Sequence, residues 1–335
     1  MGNSLLAVRG INHKYIVVER GRELNLENCR ITYALDCFLT SVATIAKSYG
    51  RDYYMIASGA WKLEYYADNN NSIGEKIDLK NSTNIIERAK KYHGFMWCQK
   101  SFSARDTDLI QKALPVIVEI DLYNFPLSQY FNKYHFLHNF IICSFNKARD
   151  EFHCVDPYFQ NSVFDLKKQS LLEIVDKYYV IDFFDTVDID SKECIKEIEF
   201  DFKRMSKDKD SLMNIDLLCR DIINTRNINL EFDQFKNDFS ATPILNKLRK
   251  IYISRSSSAF VLDEINRNLK KAYINEACEL IKKSARLWKF IQSKILKCYL
   301  TEWGENEKVS IYRAFNQISN IEKNAIEIIL AKRDE

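Results

Sequence analysis

The sequence predicts an α+β chain of two domains, a mixed strand and helix domain over residues 1–185 and a mostly helical domain over 186–335. Three observations carry this. Apolar runs bounded by turn residues, "PVIVEIDLY", "HNFIICSF" and "EFHCVDPYF", read as strands. Among them lie segments whose apolar residues repeat at helical spacing. After about residue 186 the texture changes to long, charge-rich stretches with that spacing throughout.

Taken in order, "KYIVVE" (14–19) reads as a short strand followed by a turn-rich "RGRELNLENCR". "DCFLTSVATIAKSYG" then reads as a helix. Leu39, Val42, Ala43 and Ala46 make its core face, and Tyr49-Gly50 ends it. "NNNSIGEK" (69–76) reads as a polar loop. "STNIIERAKKYHG" has the Ser/Thr start and Gly stop of a helix, and "SARDTDLIQKAL" reads as another. Pro115 opens the strand "PVIVEIDLY". The runs at 138–145 and 151–159, separated by "NKARD", read as a hairpin, and "YYVIDFF" (178–184) closes the mixed domain. In the second domain "NEACELIKKSARLWKFIQSKILKCYL" is helical. A last segment carries Ile311, Ala314, Phe315, Ile318, Ile321, Ala325 and Ile328 along one face, so the whole predicts a bundle.

The chain of 335 residues, 46% of them hydrophobic, is long enough to bury a sizeable core. Its 49 basic and 46 acidic residues leave a net charge of +3, no field that points to nucleic acid, and no nucleic-acid partner is expected. No run approaches the roughly 18 apolar residues of a membrane helix, so no membrane partner is expected either. The nine cysteines are odd in number and irregularly spaced, and the N-terminal "MGNSLLAVRGINHK" lacks the apolar stretch of a secretory signal. Reduced thiols and a cytoplasmic location follow as expectations.

Cys37 sits where a helix begins, directly after Asp36. Unpaired N–H groups and the helix dipole stabilise a thiolate there, so a depressed pKa and preferential alkylation are expected of it. A buried core cysteine is the ordinary reading of any single Cys. A catalytic thiol also needs an imidazole to take its proton and a group to orient the imidazole. Of the five histidines, His13 and His93 fall in turn or helix-end contexts, whereas His138 opens a strand. Asp156 ends the next strand, with Pro157 behind it. In a hairpin the start of one strand lies beside the end of the next, which makes His138 and Asp156 neighbours.

Other side chains offer alternatives to that trio. His135, His138, His153 and Cys154 lie close in sequence but lack paired CxxC or HxxxH spacing, so no metal is expected. Glu119 and Asp121 share one face of the strand before His138, either as a site for a cationic amine or as a solvated strand face. The basic stretches at 246–255, 267–271 and 282–289 are solvated helix faces or docking surface for an acidic partner.

"DCFLTSVATIAKSYG" resembles the cysteine motif of the C39-type peptidases, and "HNFIICSF" with "FHCVDP" resembles their His-strand and Asp-Pro elements. The chain is more closely similar to the butirosin biosynthesis protein H family, through "PVIVEIDLYNFPLSQYFNKYHFLH" and the helical C-terminal region. The resemblance implies a papain-like (C39 peptidase-like) fold used for synthesis. Such proteins take an acyl group from the phosphopantetheine thioester of a carrier protein and pass it to an amine in antibiotic biosynthesis. The protease-like amide synthetase of closthioamide biosynthesis is of the same mechanistic type. The roles implied are Cys37 as nucleophile, His138 as base and Asp156 as orienting group. Carrier protein and amine acceptor are the implied partners, and no bound cofactor is needed. Thioester exchange is nearly neutral and amide formation downhill, and no GxxxxGK[ST] loop is present. Where the C39 peptidases carry a Gln oxyanion donor, this chain has Ile31, which leaves Asn28, Thr32 or Tyr33 as candidates for that role beside the Cys37 N–H. A C39-like peptidase and a non-catalytic module that binds a carrier or peptide are the alternatives.

Overall fold

The computed structural model describes residues 9–11, 14–19, 22–27, 35–58, 62–67, 72–80, 84–103, 107–159, 162–185, 187–207, 210–235, 242–301 and 303–331. In chain order the elements begin with β1 (Arg9–Ile11), β2 (Lys14–Glu19), β3 (Arg22–Glu27), α1 (Cys37–Ser48), β4 (Lys62–Tyr65), β5 (Ile77–Lys80), α2 (Ile85–His93), β6 (Phe95–Ser101), α3 (Thr107–Ala113) and β7 (Val116–Asp121). They continue with β8 (Leu137–Asn146), β9 (Glu151–Asp156), β10 (Ser162–Lys167), α4 (Lys168–Ile174), β11 (Val175–Phe183), α5 (Ser191–Lys207), α6 (Asp210–Asn224), α7 (Pro243–Leu269), α8 (Ala272–Leu300) and α9 (Glu305–Ala331). Contacts divide the chain into two units, Met1–Ile56 with Ile86–Asp188, and Ala57–Ile85 with Ile189–Glu335.

In the first unit β1, β2 and β3 form an antiparallel sheet in chain order. The stretch read as turn-rich therefore contains a strand, with Lys14 opposite Glu27 and Glu19 opposite Arg22. Helix α1 begins at Cys37, as its sequence predicts, because Asp36 caps it by accepting the Leu39 N–H at 2.8 Å. A cap of this kind contributes about 1 kcal/mol. Gly50, at φ +72°, supplies the left-handed residue that ends the helix region. Burial along α1 is continuous from Thr40 to Ala46, wider than the expected stripe. Thr40, Ser41 and Thr44 are tolerated inside because each hydroxyl donates back to the carbonyl four residues earlier.

The main sheet has six antiparallel strands in the order β10-β9-β8-β7-β11-β6. The expected hairpin is β8–β9, with Ile142 opposite Cys154. The edge strands β6 ("FMWCQKS") and β10 ("SVFDLK") were not legible in the sequence, since each is short and half polar. On one face Val116, Val118, Ile120, Phe140, Ile142 and Phe152 join Ile110 of α3 and Leu171 of α4 in an apolar cluster. Residues directly opposed in an antiparallel pair share a face. The register Ile120↔His138 and Glu119↔Asn139 therefore gives His138 to the clustered face and Asn139 to the other.

The second unit is a helical assembly that also holds the β4–β5 ribbon. Leu63, Tyr65, Ile73 and Ile77 bury against Ile215, Leu218, Ile244 and Ile311. Of the segment 69–76, residues 72–76 form a turn, as the loop reading expects, with Ile73 buried in this core, while 69–71 lie outside the described residues. Glu231 accepts the N–H groups of Ile73 and Gly74, and a Cβ on Gly74 would meet Ile244 N at 2.1 Å. Helices α7, α8 and α9 are joined inside by Glu322, which accepts from Arg255 Nε at 2.9 Å, Ser284 Oγ at 2.6 Å and Trp288 Nε1 at 3.0 Å. The face expected on α9 is buried except at its end, where Ile329 replaces Ile328. Five turns of about 3.6 residues counted from Ile311 end at Ile329, so the stripe passes Ile328 by one residue.

Candidate active site

Cys37 is the first residue of α1, and its thiol donates to Asn139 Oδ1 at 3.6 Å. The Asn139 amide is fixed from its other end, where Nδ2 donates to the Val118 carbonyl at 3.3 Å. Phe38 packs its ring against Trp97 and Tyr179, which anchors the start of the helix on the sheet. The expected depressed pKa is not what these surroundings produce. Burial first, then the charges of Asp36 and Asp156, push the Cys37 thiol up to about 12, against the lowering effect of hydrogen bonds from the Asn139 and Phe38 backbone. The helix terminus favours a thiolate by no more than about 2 kcal/mol, and withdrawal of the sulfur from water with a carboxylate beside it outweighs that.

His138 and Asp156 are brought together as the hairpin predicts. His138 Nε2 and Asp156 Oδ2 are 2.6 Å apart, at residues only 4% and 5% exposed. Asp156 Oδ1 accepts the N–H groups of Tyr158 and Phe159, so the turn after β9 and the orientation of the imidazole depend on one carboxylate. The ring of Phe159 lies 4.8 Å from that of His138. The carboxylate accepts, so the imidazole proton belongs on Nε2 and Nδ1 is the nitrogen left to receive another proton. Both groups line a cleft of about 450 Å3.

The arrangement is therefore two pairs on consecutive residues of β8, Cys37 with Asn139 and His138 with Asp156. The thiol's hydrogen bond goes to Asn139 and not to the imidazole. Asn139 escaped the sequence analysis although the hairpin register could have found it. It follows the histidine and faces the opposite side of the strand, toward α1.

Glu119 accepts from Lys177 at 3.0 Å and Tyr179 at 3.2 Å, and Asp121 from His135 and the N–H groups of Tyr123 and Phe136. Neither offers the unengaged charge that amine binding would use. The oxyanion candidates Asn28, Thr32 and Tyr33, and Ile31 and Cys29, lie outside the described residues. His93 is buried and accepts the Met55 N–H at 2.9 Å, while His153 pairs with Asp165. Of the basic stretches, Arg255 is buried on Glu322, and Arg267 and Lys282 pair with carboxylates on their own helices. Arg255 is thus no docking residue. Among the described residues no group of three or more His, Cys, Asp or Glu is placed to hold a metal ion, and no helix is long and apolar enough to cross a membrane.

No curated protein matches the chain. Residues 31–181, a little under half of it, match the Peptidase_C39 like family, and that segment carries Cys37, Asn139, His138 and Asp156. The chain thus pairs a C39-like peptidase domain, rich in sheet, with a mostly helical C-terminal region.

Proposed function

We propose that the chain is a cysteine-dependent acyltransferase that forms amides. Cys37 takes the acyl group from a carrier-protein phosphopantetheine thioester and delivers it to an amine. The reading is carried by the buried His138–Asp156 hydrogen bond, one residue along the strand from the amide that holds the Cys37 thiol. In this reading His138 is the base for the thiol proton as sulfur attacks the thioester carbonyl, which requires the imidazole to leave the face of β8 it shares with Ile120 and reach the face on which Asn139 holds the thiol. The pantetheine thiolate leaves and is reprotonated by the imidazolium. An amine then attacks the acyl-cysteine, its proton passes to Nδ1, and the Cys37 sulfur leaves to regain a proton.

A thiol raised to about 12 favours the more reactive donor. A thioester carbonyl accepts attack more readily than a peptide carbonyl, and exchange between two thioesters is nearly neutral. The similarity of motifs to the butirosin protein H family and to the closthioamide amide synthetase motivates the same choice, with no cofactor beyond the carried pantetheine. The family match favours a second reading, peptide cleavage by the same residues. Incubation with an acylated carrier, followed by intact-protein mass measurement, separates the two. Acyl transfer predicts an acyl mass on Cys37 that is absent from Cys37→Ala. Cleavage of peptides with no adduct from thioesters supports the peptidase.

A further inference from the structure

The cleft beside His138 and Asp156, at about 450 Å3, falls in the size range of small-ligand sites. His138 lies on the face of β8 opposed to Ile120, whereas Asn139 holds the Cys37 thiol on the other face, and Cys37 does not line the cleft. The chemistry of an occupant is therefore set by the lining alone. Much of the wall is apolar. Leu122, Phe125 and Phe164 belong to the packed core beneath, while Leu127, Phe159 and Val163 remain 64%, 47% and 37% exposed at the rim, where an apolar body would cover them. The lining also holds polar groups that are unspent. His138 is 4% exposed, and with Nε2 turned to Asp156 its Nδ1 bonds to no described residue. An acceptor withdrawn from bulk water gains from a donor brought to it. The Tyr130 hydroxyl and the Gln129 side-chain amide are likewise unbonded among the described residues, and each can both donate and accept. Asp156, by contrast, uses one oxygen on His138 and the other on two backbone N–H groups. Among the described lining residues there is no lysine or arginine, so a carboxylate or phosphate would shed its hydration without a counter-charge, and a cation would meet only a carboxylate already engaged.

We infer that the cleft is a binding site, separate from the Cys37 thiol, for a small uncharged molecule that presents an O–H or N–H donor to His138 Nδ1 from an apolar body, with Tyr130 and Gln129 able to serve a second polar group. Such a site stands whether or not Cys37 transfers acyl groups. The test uses the full chain with its histidine rings isotope-labelled on nitrogen. Phenethyl alcohol, its methyl ether and phenylacetate are each titrated, with binding read by ligand-observed NMR and the acceptor by the ring-nitrogen spectrum. The His138 signals are assigned by His138→Gln or, if that variant does not fold, by replacing the other histidines in turn. The alcohol should bind. The ether has the same apolar body and no donor for Nδ1, and should bind about fivefold more weakly. Phenylacetate should not bind. The alcohol, and not the ether, should move the His138 Nδ1 signal in the direction of a nitrogen that accepts a hydrogen bond. Leu127→Asp, at an exposed rim position and checked for an unchanged thermal melt, should weaken alcohol and ether alike by about tenfold and keep their ratio. An ether that binds as well as the alcohol, an Nδ1 signal that the alcohol leaves in place, or binding that Leu127→Asp leaves unchanged overturns the inference. Preference for phenylacetate overturns it in favour of an anion site, and failure of all three probes to bind overturns it outright.

Discussion

Replacement of Asp156 by Asn separates orientation of the imidazole from integrity of the fold. In Asp156→Asn the Oδ1 position still accepts from Tyr158 and Phe159, so the turn after β9 keeps its hydrogen bonds. The other oxygen, 2.6 Å from His138 Nε2, becomes an amide NH2 that donates. Nε2 must then accept, and the ring proton moves to Nδ1, the nitrogen that has to receive the thiol proton. A tautomer fixed the wrong way costs on the order of 10⁴ in turnover where the same arrangement operates. Loss of a charge-assisted hydrogen bond costs about 1.5–3 kcal/mol of stability, and the neutral bond formed by the new tautomer offsets part of it. Stability by urea unfolding should therefore fall by about 1–2 kcal/mol, while single-turnover acylation by a thioester, followed by quenched mass measurement, falls by three to four orders of magnitude. Acylation within threefold of the unaltered protein, in a folded variant, refutes the role given to Asp156.

Because burial and Asp36 push the Cys37 thiol to about 12, its alkylation by iodoacetamide should be slow at neutral pH and rise about tenfold per pH unit through pH 10. A plateau near pH 7 contradicts this. Burial lowers His93 to about 3 from 6.5, so between those values the unfolded chain binds a proton that the folded chain refuses. Stability present above pH 6.5 is therefore lost as pH falls, by about 1.4 kcal/mol per unit. His93→Gln keeps an acceptor for the Met55 N–H and should flatten the dependence of urea unfolding between pH 6 and 4; an unchanged slope counts against the burial argument. In the helical unit, Arg255→Met and Glu322→Gln should each cost about 3–5 kcal/mol in chemical unfolding, because each leaves a buried partner without its charge. The double variant should cost well under the sum, and strict additivity would show that the pair is not coupled.

Local signals were legible where one element decides its own structure. Asp36 before an apolar stripe marked the start of α1, and two strand-like runs joined by "NKARD" marked the β8–β9 hairpin, in which the start of one strand lies beside the end of the next and so His138 beside Asp156. What could not be read depends on partners distant in the chain. Strands β4 and β5 are short and half polar, and gain their core from residues such as Ile215, Ile244 and Ile311, more than a hundred residues away. The edge strands β6 and β10 carry half-polar sequences because only one ladder holds them. Arg255 looked like one charge among several in a basic stretch, and only Glu322 reveals it as interior. The thiol of Cys37 was misjudged for the same reason. A helix terminus is visible in sequence, whereas the desolvation that outweighs it is a property of the folded surroundings.

The central claim is that Cys37 carries an acyl group from a thioester to an amine. The most direct test is to form the acyl-enzyme with an excess of acyl carrier protein, remove the donor, and follow the mass of the protein and the released product with and without a primary amine. The account predicts an adduct on Cys37 that persists in buffer and discharges as an amide when the amine is added, with His138→Ala slowed at both steps. An adduct that releases free acid at the same rate whether or not the amine is present, or no adduct at all on a folded protein, contradicts it.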